Sequence, residues 1–235
     1  MGKIIDLCLD TRLFVLQSPI MTISDTGTSL RGPHLPSSPS STNGARPLLV
    51  VIIASTRPGR AGLPIGRWFV EHATAHGGFD VEVADLVEVA LPLLDEPEHP
   101  RLGMYRNDHT KAWSAVIGRC HAVVIVTPEY NHGYPASVKN ALDYLHDEWR
   151  DKAIGFVSYG GVAGGSRAVE QLRQVVTTLR MVAVVETVSI PNFPQLMEGG
   201  TLQPHQWMKQ AADQMLDEMR RIGVLLRTPE PTQQA

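Results

Sequence analysis

The sequence predicts an α/β fold in which one parallel sheet lies between two layers of helices. Short apolar runs rich in β-branched residues alternate with segments whose apolar side chains recur at helical spacing, and this alternation is typical of βαβ units. Two of the runs, residues 48–54 and 122–127, are apolar almost throughout, which indicates strands buried on both faces of the sheet. The chain of 235 residues is long enough to bury one sizeable core.

The first elements alternate in a regular way. Residues 48–54 (LLVVIIA) form the first predicted strand, and a helix follows at 62–76, where Pro64 suits a first helical turn. Residues 79–85 alternate apolar and polar side chains and are predicted to form the second strand.

The same alternation continues to the C-terminal part of the chain. A proline-rich connection at 91–100 leads to a predicted helix at 105–119, the buried strand at 122–127 and a helix at 137–146. The remaining predicted elements are a strand at 154–159, a helix at 166–179, a strand at 182–190 and a long closing helix at 206–226. Five parallel strands joined by right-handed crossovers favour the flavodoxin-like order 2-1-3-4-5, a three-layer sandwich.

The N-terminal part differs in composition from this domain. Residues 24–47 are rich in Ser, Pro, Gly, Thr and Asn and offer too little apolar surface to offset the entropy of ordering them. We therefore expect a disordered arm at 1–46, one ligand-binding domain at 47–228 and a disordered tail at 229–235. Met21 is an alternative start, in which case the first segment is an extension of the gene model.

Composition excludes several classes of function. The formal charge of −3 gives no basic surface for nucleic acid, and no apolar run is long enough to span a membrane. The two cysteines, Cys8 and Cys120, cannot build a disulfide framework, and no Cys/His spacing suggests a metal site. A reducing, cytoplasmic setting is expected.

The loop after the first strand has the composition of an anion site. Ser55, Thr56, Arg57 and Arg60 bring hydroxyls and guanidinium groups to the N-terminus of a helix, which suits a phosphate. The loop matches neither the Walker A motif nor the G-x-G-x-x-G dinucleotide turn. An ordinary strand-to-helix loop with solvated arginines is the alternative interpretation.

Two further loops lie at the same predicted edge of the sheet. Residues 127–135 contain two tyrosines, an asparagine and two prolines, which suit a flat heteroaromatic ring. Residues 158–165 contain four glycines, which allow the backbone to approach a ligand closely. A stiff connector and a glycine-rich helix cap are the alternatives for each loop alone. Because all three loops follow strands 1, 3 and 4, they together predict a site for a phosphate and a ring.

Three short motifs within these loops resemble the NADPH-dependent FMN reductase family, which includes chromate and quinone reductases and azoreductase-like enzymes. The motifs are Ser55-Thr56-Arg57, Pro128-Glu129-Tyr130-Asn131 and Tyr159-Gly160-Gly161. The resemblance extends over residues 48–226, and Ala54 departs from it where many members have glycine. It implies an FMN-dependent oxidoreductase with NADPH or NADH as the hydride donor.

The resemblance also implies roles for individual residues. Ser55 and Arg57 would hold the FMN phosphate with assistance from Arg60. Pro128, Glu129, Tyr130 and Asn131 would contact the isoalloxazine ring and the ribityl chain. Tyr159, Gly160 and Gly161 would line the pyrimidine end of the ring. The flavin would carry the chemistry, so no catalytic side chain is expected.

The implied reaction is ping-pong transfer from NAD(P)H through FMN to a small acceptor: a quinone, an azo compound, a metal oxyanion or free flavin. A homodimer or homotetramer is expected, with Met104, Tyr105, Leu145 and Trp149 as apolar material beside the site. The alternatives are a flavodoxin-type electron carrier, which Arg57 and the small net charge disfavour, and a flavin-binding module without turnover.

Overall fold

A computed structural model describes residues 46–226 of the chain. Its main sheet has five parallel strands in the order β2-β1-β3-β4-β5. These strands are β1 (Leu48–Ile53), β2 (Asp80–Asp85), β3 (Ala122–Pro128), β4 (Ala153–Tyr159) and β5 (Val182–Ile190). The predicted flavodoxin-like order is therefore confirmed.

Helices cover both faces of this sheet. They are α1 (Gly62–His76), α2 (Leu86–Val89), α3 (Asp108–Arg119), α4 (Ala136–Asp143), α5 (Ser166–Thr178) and α6 (Gln206–Leu226). One buried cluster joins α1 and α6 to the sheet, and a second joins α3, α4 and α5 to the opposite face. Within β1, Leu49 and Val51 belong to the first cluster and Val50 and Ile52 to the second. This division explains why β1 is apolar at every position.

Some short elements and helix boundaries differ from the prediction. The four-residue α2 and a small hairpin of β6 (Met197–Glu198) and β7 (Thr201–Leu202) were not predicted. Helix α3 begins at Asp108 rather than at residue 105. The cause lies in Glu96, whose carboxylate accepts the backbone N–H groups of Arg106 and Asn107 at 2.9 Å each. Those two residues are held outside the helix as a result.

Two residues expected near a subunit interface lie instead in the core of the monomer. Leu145 and Trp149 are 1% and 0% exposed. The Trp149 indole N–H donates to the carbonyl of Leu142 at 3.1 Å, and its ring packs edge to face against Trp113. Only Met104 and Tyr105 of that group reach the surface, because the turn at 147–149 folds Trp149 back under α3.

The predicted arm at 1–46, apart from its last residue, and the predicted tail at 229–235 lie outside the described residues. Within the described part, no helix has the length and apolar character needed to cross a membrane. Residues 46–226 also contain no group of three or more His, Cys, Asp or Glu side chains arranged to hold a metal ion.

Candidate functional site

The three loops singled out in the sequence meet at the carboxyl edge of the sheet. The hydroxyls of Ser55, after β1, and Tyr130, after β3, are hydrogen bonded at 2.7 Å. The backbone N–H of Glu129 donates to the carbonyl of Tyr159, the last residue of β4, at 3.0 Å. The switch point of the sheet is therefore built from residues of all three predicted motifs.

The loop between β1 and α1 leaves donors without protein partners. Arg57 is exposed and takes part in no ion pair with any of residues 46–226. Ala61 caps α1 without a side-chain hydrogen bond, and the first turn of this helix contains no acidic residue. The N–H groups of that turn lie at the positive end of the helix dipole, so this loop suits an anion.

Arg60 points toward β2. Its guanidinium forms an ion pair with Asp85 at the end of β2, and the two side chains are only 13% and 4% exposed. The other carboxylate oxygen of Asp85 accepts the N–H of Val87 at 3.1 Å and caps α2. Arg60 Nε is buried and has no hydrogen-bond partner among the described residues. Sequence reasoning missed Asp85, although a carboxylate at the end of a strand beside the switch point was a usable signal.

The β3 loop turns sharply after Tyr130. The N–H groups of Tyr130 and Gly133 each donate to the carbonyl of the other residue at 2.9 Å. Between them, Asn131 and His132 have φ values of 50° and 68°, the left-handed geometry of a type I′ turn. The side-chain amide of Gln171 donates to the carbonyl of His132 at 2.9 Å and fixes the turn to α5. Asn131 consequently lies exposed at the tip of the loop.

Glu129 is turned away from the ring side of the site. Its carboxylate accepts Nε of Arg167 at 2.7 Å and the backbone N–H of Arg167 at 3.2 Å, at the start of α5. Burial raises the pKa of Glu129, but these hydrogen bonds and the Arg167 charge outweigh it and hold the pKa below its usual value. Glu129 therefore anchors the β3 loop to α5. The neighbouring Pro128 ends β3 and pairs in register with Tyr159.

The side chain of Tyr159 extends under the first turn of α1. It is 3% exposed and packs edge to face on Phe193, with ring centroids 5.2 Å apart. A Cβ placed on Gly62 would lie 2.6 Å from the Tyr159 hydroxyl and 3.4 Å from Cβ of Ser55. This hydroxyl therefore lies beside the anion loop, whereas the sequence analysis expected Tyr159 at the pyrimidine end of a ring.

The glycines after Tyr159 differ in what surrounds them. A Cβ on Gly161 would meet no atom within 4 Å, so this residue presents bare backbone to open space. A Cβ on Gly160 would lie 3.1 Å from the backbone nitrogen of Gly165. Gly165 itself has φ +87°, and its Cβ would lie 2.7 Å from Cβ of Ser158. Gly165 thus serves the turn and Gly160 is buried, while Gly161 forms the accessible surface beside the β3 loop.

Comparison with known proteins agrees with this geometry. The profile of the NADPH-dependent FMN reductase family matches residues 47–195, which include all three loops. An NAD(P)H-dependent FMN reductase of Schizosaccharomyces pombe is 43% identical over 137 residues, 57% of this chain and 68% of that protein. A quinone reductase of Escherichia coli is 30% identical over 161 residues, 66% of this chain and 78% of that protein.

The chain belongs to the NADPH-dependent FMN reductase family. It is an oxidoreductase, and FMN and NAD(P)H are the cofactors of its family. Among solved structures, the flavoenzyme NAD(P)H:acceptor oxidoreductase FerB of Paracoccus denitrificans aligns with a TM-score of 0.59 at 20% identity. That alignment covers 74% of this chain and 98% of FerB. At this identity the likeness bears on the fold alone, and it agrees with the flavodoxin-like topology.

The residues present fit an FMN reductase site. A flavin phosphate needs positive charge and hydrogen-bond donors in place of water. The β1–α1 loop offers Arg57, the first-turn N–H groups of α1 and Arg60 Nε, and the hydroxyl of Tyr159 from β4 lies beside it; neither Arg60 Nε nor this hydroxyl has a hydrogen-bond partner within residues 46–226. The open face at Gly161 leaves room for a ring beside the β3 loop. Donors suited to a phosphate thus lie after β1, and space suited to a ring lies next to them, between the loops after β3 and β4.

A cleft of about 460 Å³ adjoins the β1–α1 loop on its β2 side. Its lining combines apolar side chains with three polar ones, Thr56, Ser137 and Asn140. Asn140 also holds the wall of the cleft, since its amide donates to the carbonyl of Pro92 at 2.6 Å and accepts the N–H of Leu94 at 2.9 Å. Sequence reasoning missed this role, because the partners lie more than 45 residues from Asn140 along the chain.

Proposed function

We propose that the protein is an FMN-dependent NAD(P)H oxidoreductase that reduces a small acceptor by a ping-pong sequence. The observation that carries the proposal is the hydrogen bond between Ser55 and Tyr130, which joins the anion loop to the ring loop at the switch point. Bound FMN would supply the hydride-transfer chemistry, and the protein would bind it, orient it and exclude water.

The phosphate end of the flavin would be held by the β1–α1 loop. Ser55 and Arg57 are the proposed ligands, and the first-turn N–H groups of α1 add the positive end of the helix dipole. Arg60 would contribute its charge while remaining paired with Asp85. Because Asp85 offsets much of the Arg60 charge, Arg57 and the helix dipole would supply most of the positive charge that faces the dianion.

The ring end would lie between the β3 and β4 loops. The main chain of Pro128, Glu129 and Asn131 and the phenol of Tyr130 would form one side, with Gly160 and Gly161 on the other. The carboxylate of Glu129 would act indirectly, because it fixes the β3 loop to α5 through Arg167. No side chain is proposed to act as nucleophile or general base.

The acceptor class in this proposal is a small oxidant: a quinone, an azo compound, a metal oxyanion or free flavin. The E. coli relative is named a quinone reductase, and a relative from Staphylococcus saprophyticus, 26% identical over 153 residues, is named an FMN-dependent NADPH-azoreductase. These names motivate testing quinones and azo dyes first. A cytoplasmic setting is part of the proposal, since Cys120 is buried as a free thiol.

A homodimer or homotetramer is also proposed. Apolar side chains are exposed along the connection between β2 and α3, with Leu93 81% and Met104 54% exposed, and this connection borders the cleft beside the site. Burying them against a second copy would remove apolar surface from water. Light scattering at micromolar concentration should give a mass at least twice 25.8 kDa, whereas a monomer would contradict this part of the proposal.

The absorption spectrum of the purified protein and a nicotinamide oxidation assay together test the function. We expect a yellow protein that releases FMN on denaturation and oxidises NADH or NADPH when a soluble quinone is added. A yellow protein that oxidises neither nucleotide would favour the electron-carrier or non-catalytic alternative. A protein that does not bind added FMN would contradict the proposal altogether.

A further inference from the structure

Two buried donors at the anion loop have no hydrogen-bond partner in the part of the chain that the structure describes. They are the Tyr159 hydroxyl and Arg60 Nε, and neither is hydrogen bonded to any of residues 46–226. Both belong to one neighbourhood, because the nearby Ser55 hydroxyl and the charge of Arg60 act on the Tyr159 hydroxyl and partly oppose the rise in its pKa that burial causes. Unpaired donors thus gather where the flavin phosphate is proposed to bind.

We expect the Tyr159 hydroxyl to lower the stability of the free protein. A hydroxyl removed from water without a hydrogen bond costs free energy, whereas a phenylalanine would fill nearly the same volume without that cost. The ring is 3% exposed and packs against Phe193, so the hydroxyl lies away from solvent. A phosphate oxygen is the partner that would remove this cost, since it accepts hydrogen bonds and carries charge.

The hydroxyl is also aimed at the helix terminus that would receive the phosphate. It lies 2.6 Å from where a Cβ on Gly62 would be, at the first residue of α1, and Ser55 borders the same space. The Ser55 hydroxyl is hydrogen bonded to Tyr130 at 2.7 Å, which leaves it capacity for a further hydrogen bond to a phosphate oxygen. The unpaired tyrosine and the unpaired first-turn N–H groups therefore converge at one place.

We propose that the Tyr159 hydroxyl is a direct ligand of the FMN phosphate and makes the site discriminate FMN from riboflavin. This inference rests on the proposed function, and it changes the part of the flavin that Tyr159 contacts from the ring to the phosphate. A neutral donor suits this position, because burial and the nearby Tyr130 raise the pKa of the Tyr159 hydroxyl and keep it protonated. The proton stays on the tyrosine, and no bond is made or broken.

The test compares Tyr159→Phe with the parent protein by titrating FMN and riboflavin into flavin-free protein and by measuring thermal unfolding of that form. We expect FMN affinity to fall by roughly 10- to 150-fold, the range for a hydrogen bond to a charged group. Riboflavin affinity should stay within about twofold, because riboflavin lacks the phosphate. The flavin-free variant should unfold at the same temperature as the parent or higher.

Tyr144→Phe is the matched control. Tyr144 is equally buried, but its hydroxyl donates to Asp95 at 3.0 Å and to the carbonyl of Pro92 at 3.2 Å. Its loss should lower the unfolding temperature of the flavin-free protein and leave the FMN-to-riboflavin affinity ratio unchanged. Tyr159→Phe should therefore lower the FMN-to-riboflavin affinity ratio without lowering the unfolding temperature, whereas Tyr144→Phe should lower the unfolding temperature without changing the ratio.

Two outcomes would overturn the inference, and a third would overturn the proposed function on which it rests. Unchanged FMN affinity in Tyr159→Phe would show that the Tyr159 hydroxyl does not contact the phosphate. Equal losses for FMN and riboflavin together with a lower unfolding temperature would assign the hydroxyl a structural role. A parent protein that binds neither flavin would instead overturn the proposed function, which distinguishes that failure from the first two.

Discussion

Replacing Gly62 by alanine tests whether the Tyr159 hydroxyl lies under α1 as the structure has it. At most helical positions this change stabilises a protein by about 0.4–1 kcal/mol. Here the new Cβ would lie 2.6 Å from the Tyr159 oxygen, well inside the 3.4 Å of ordinary contact. Because Phe193 packs on the tyrosine ring, the overlap cannot be relieved by a rotation. Overpacking of this kind costs about 1–3 kcal/mol, so we expect a net loss of about 1–2 kcal/mol.

A double-mutant cycle with Tyr159→Phe isolates that contact. Without the hydroxyl, the alanine Cβ would have as its nearest neighbours Cβ of Ser55 at 3.4 Å and Cζ of residue 159 at 3.6 Å, which are normal packing distances. Gly62→Ala should therefore become neutral or stabilising in the Tyr159→Phe background, with a coupling of about 1–3 kcal/mol. Urea unfolding of the flavin-free parent, the two single variants and the double variant measures this coupling free energy. An equal effect of Gly62→Ala in both backgrounds would refute the contact.

Three further changes probe the loops and the domain boundary. Since Arg167 lowers the pKa of Glu129, the ionised carboxylate stabilises the fold at neutral pH, and this stabilisation is lost as the pH falls through the lowered pKa. Unfolding curves of Glu129→Gln and the parent should differ near pH 7 and converge in acid, and a constant difference would argue against this coupling. Asn140→Ala should speed amide exchange at Leu93 and Leu94, and unchanged exchange there would show that the hydrogen bonds of Asn140 do not hold the wall. Removal of residues 1–44 should preserve the circular dichroism and unfolding of the domain, because residues 46–226 contain two buried clusters, one on each face of the sheet; insoluble protein would contradict it.

The strand order was predictable because it depends on burial patterns that a sequence carries directly. Runs such as 122–127 are apolar on both faces only in a covered parallel sheet, and their alternation with helices restricts the topology. Helix α2, with four residues, and the hairpin β6–β7, with two residues in each strand, are too short to produce a period. The start of α3 depends on Glu96, a residue outside the helix.

The meeting of the three loops was predictable from topology, but the directions of their side chains were not. Arg60 points to Asp85, 25 residues away along the chain, and Glu129 points to Arg167, 38 residues away. Tyr159 reaches under α1, which becomes its neighbour only in the folded sheet. Each direction is decided by a partner from another element, so motif spacing alone identifies the residues of the site and leaves their contacts open.

Titration of FMN and riboflavin into the parent protein and Arg57→Ala decides whether the flavin phosphate binds in the β1–α1 loop. Arg57 is exposed and unpaired among the described residues, so its removal should leave the fold and its stability nearly unchanged. The loss of a charge-assisted contact should weaken FMN binding by roughly 10- to 150-fold. Riboflavin should bind both proteins almost equally. If Arg57→Ala binds FMN as tightly as the parent does, the phosphate lies elsewhere and the proposed site is wrong.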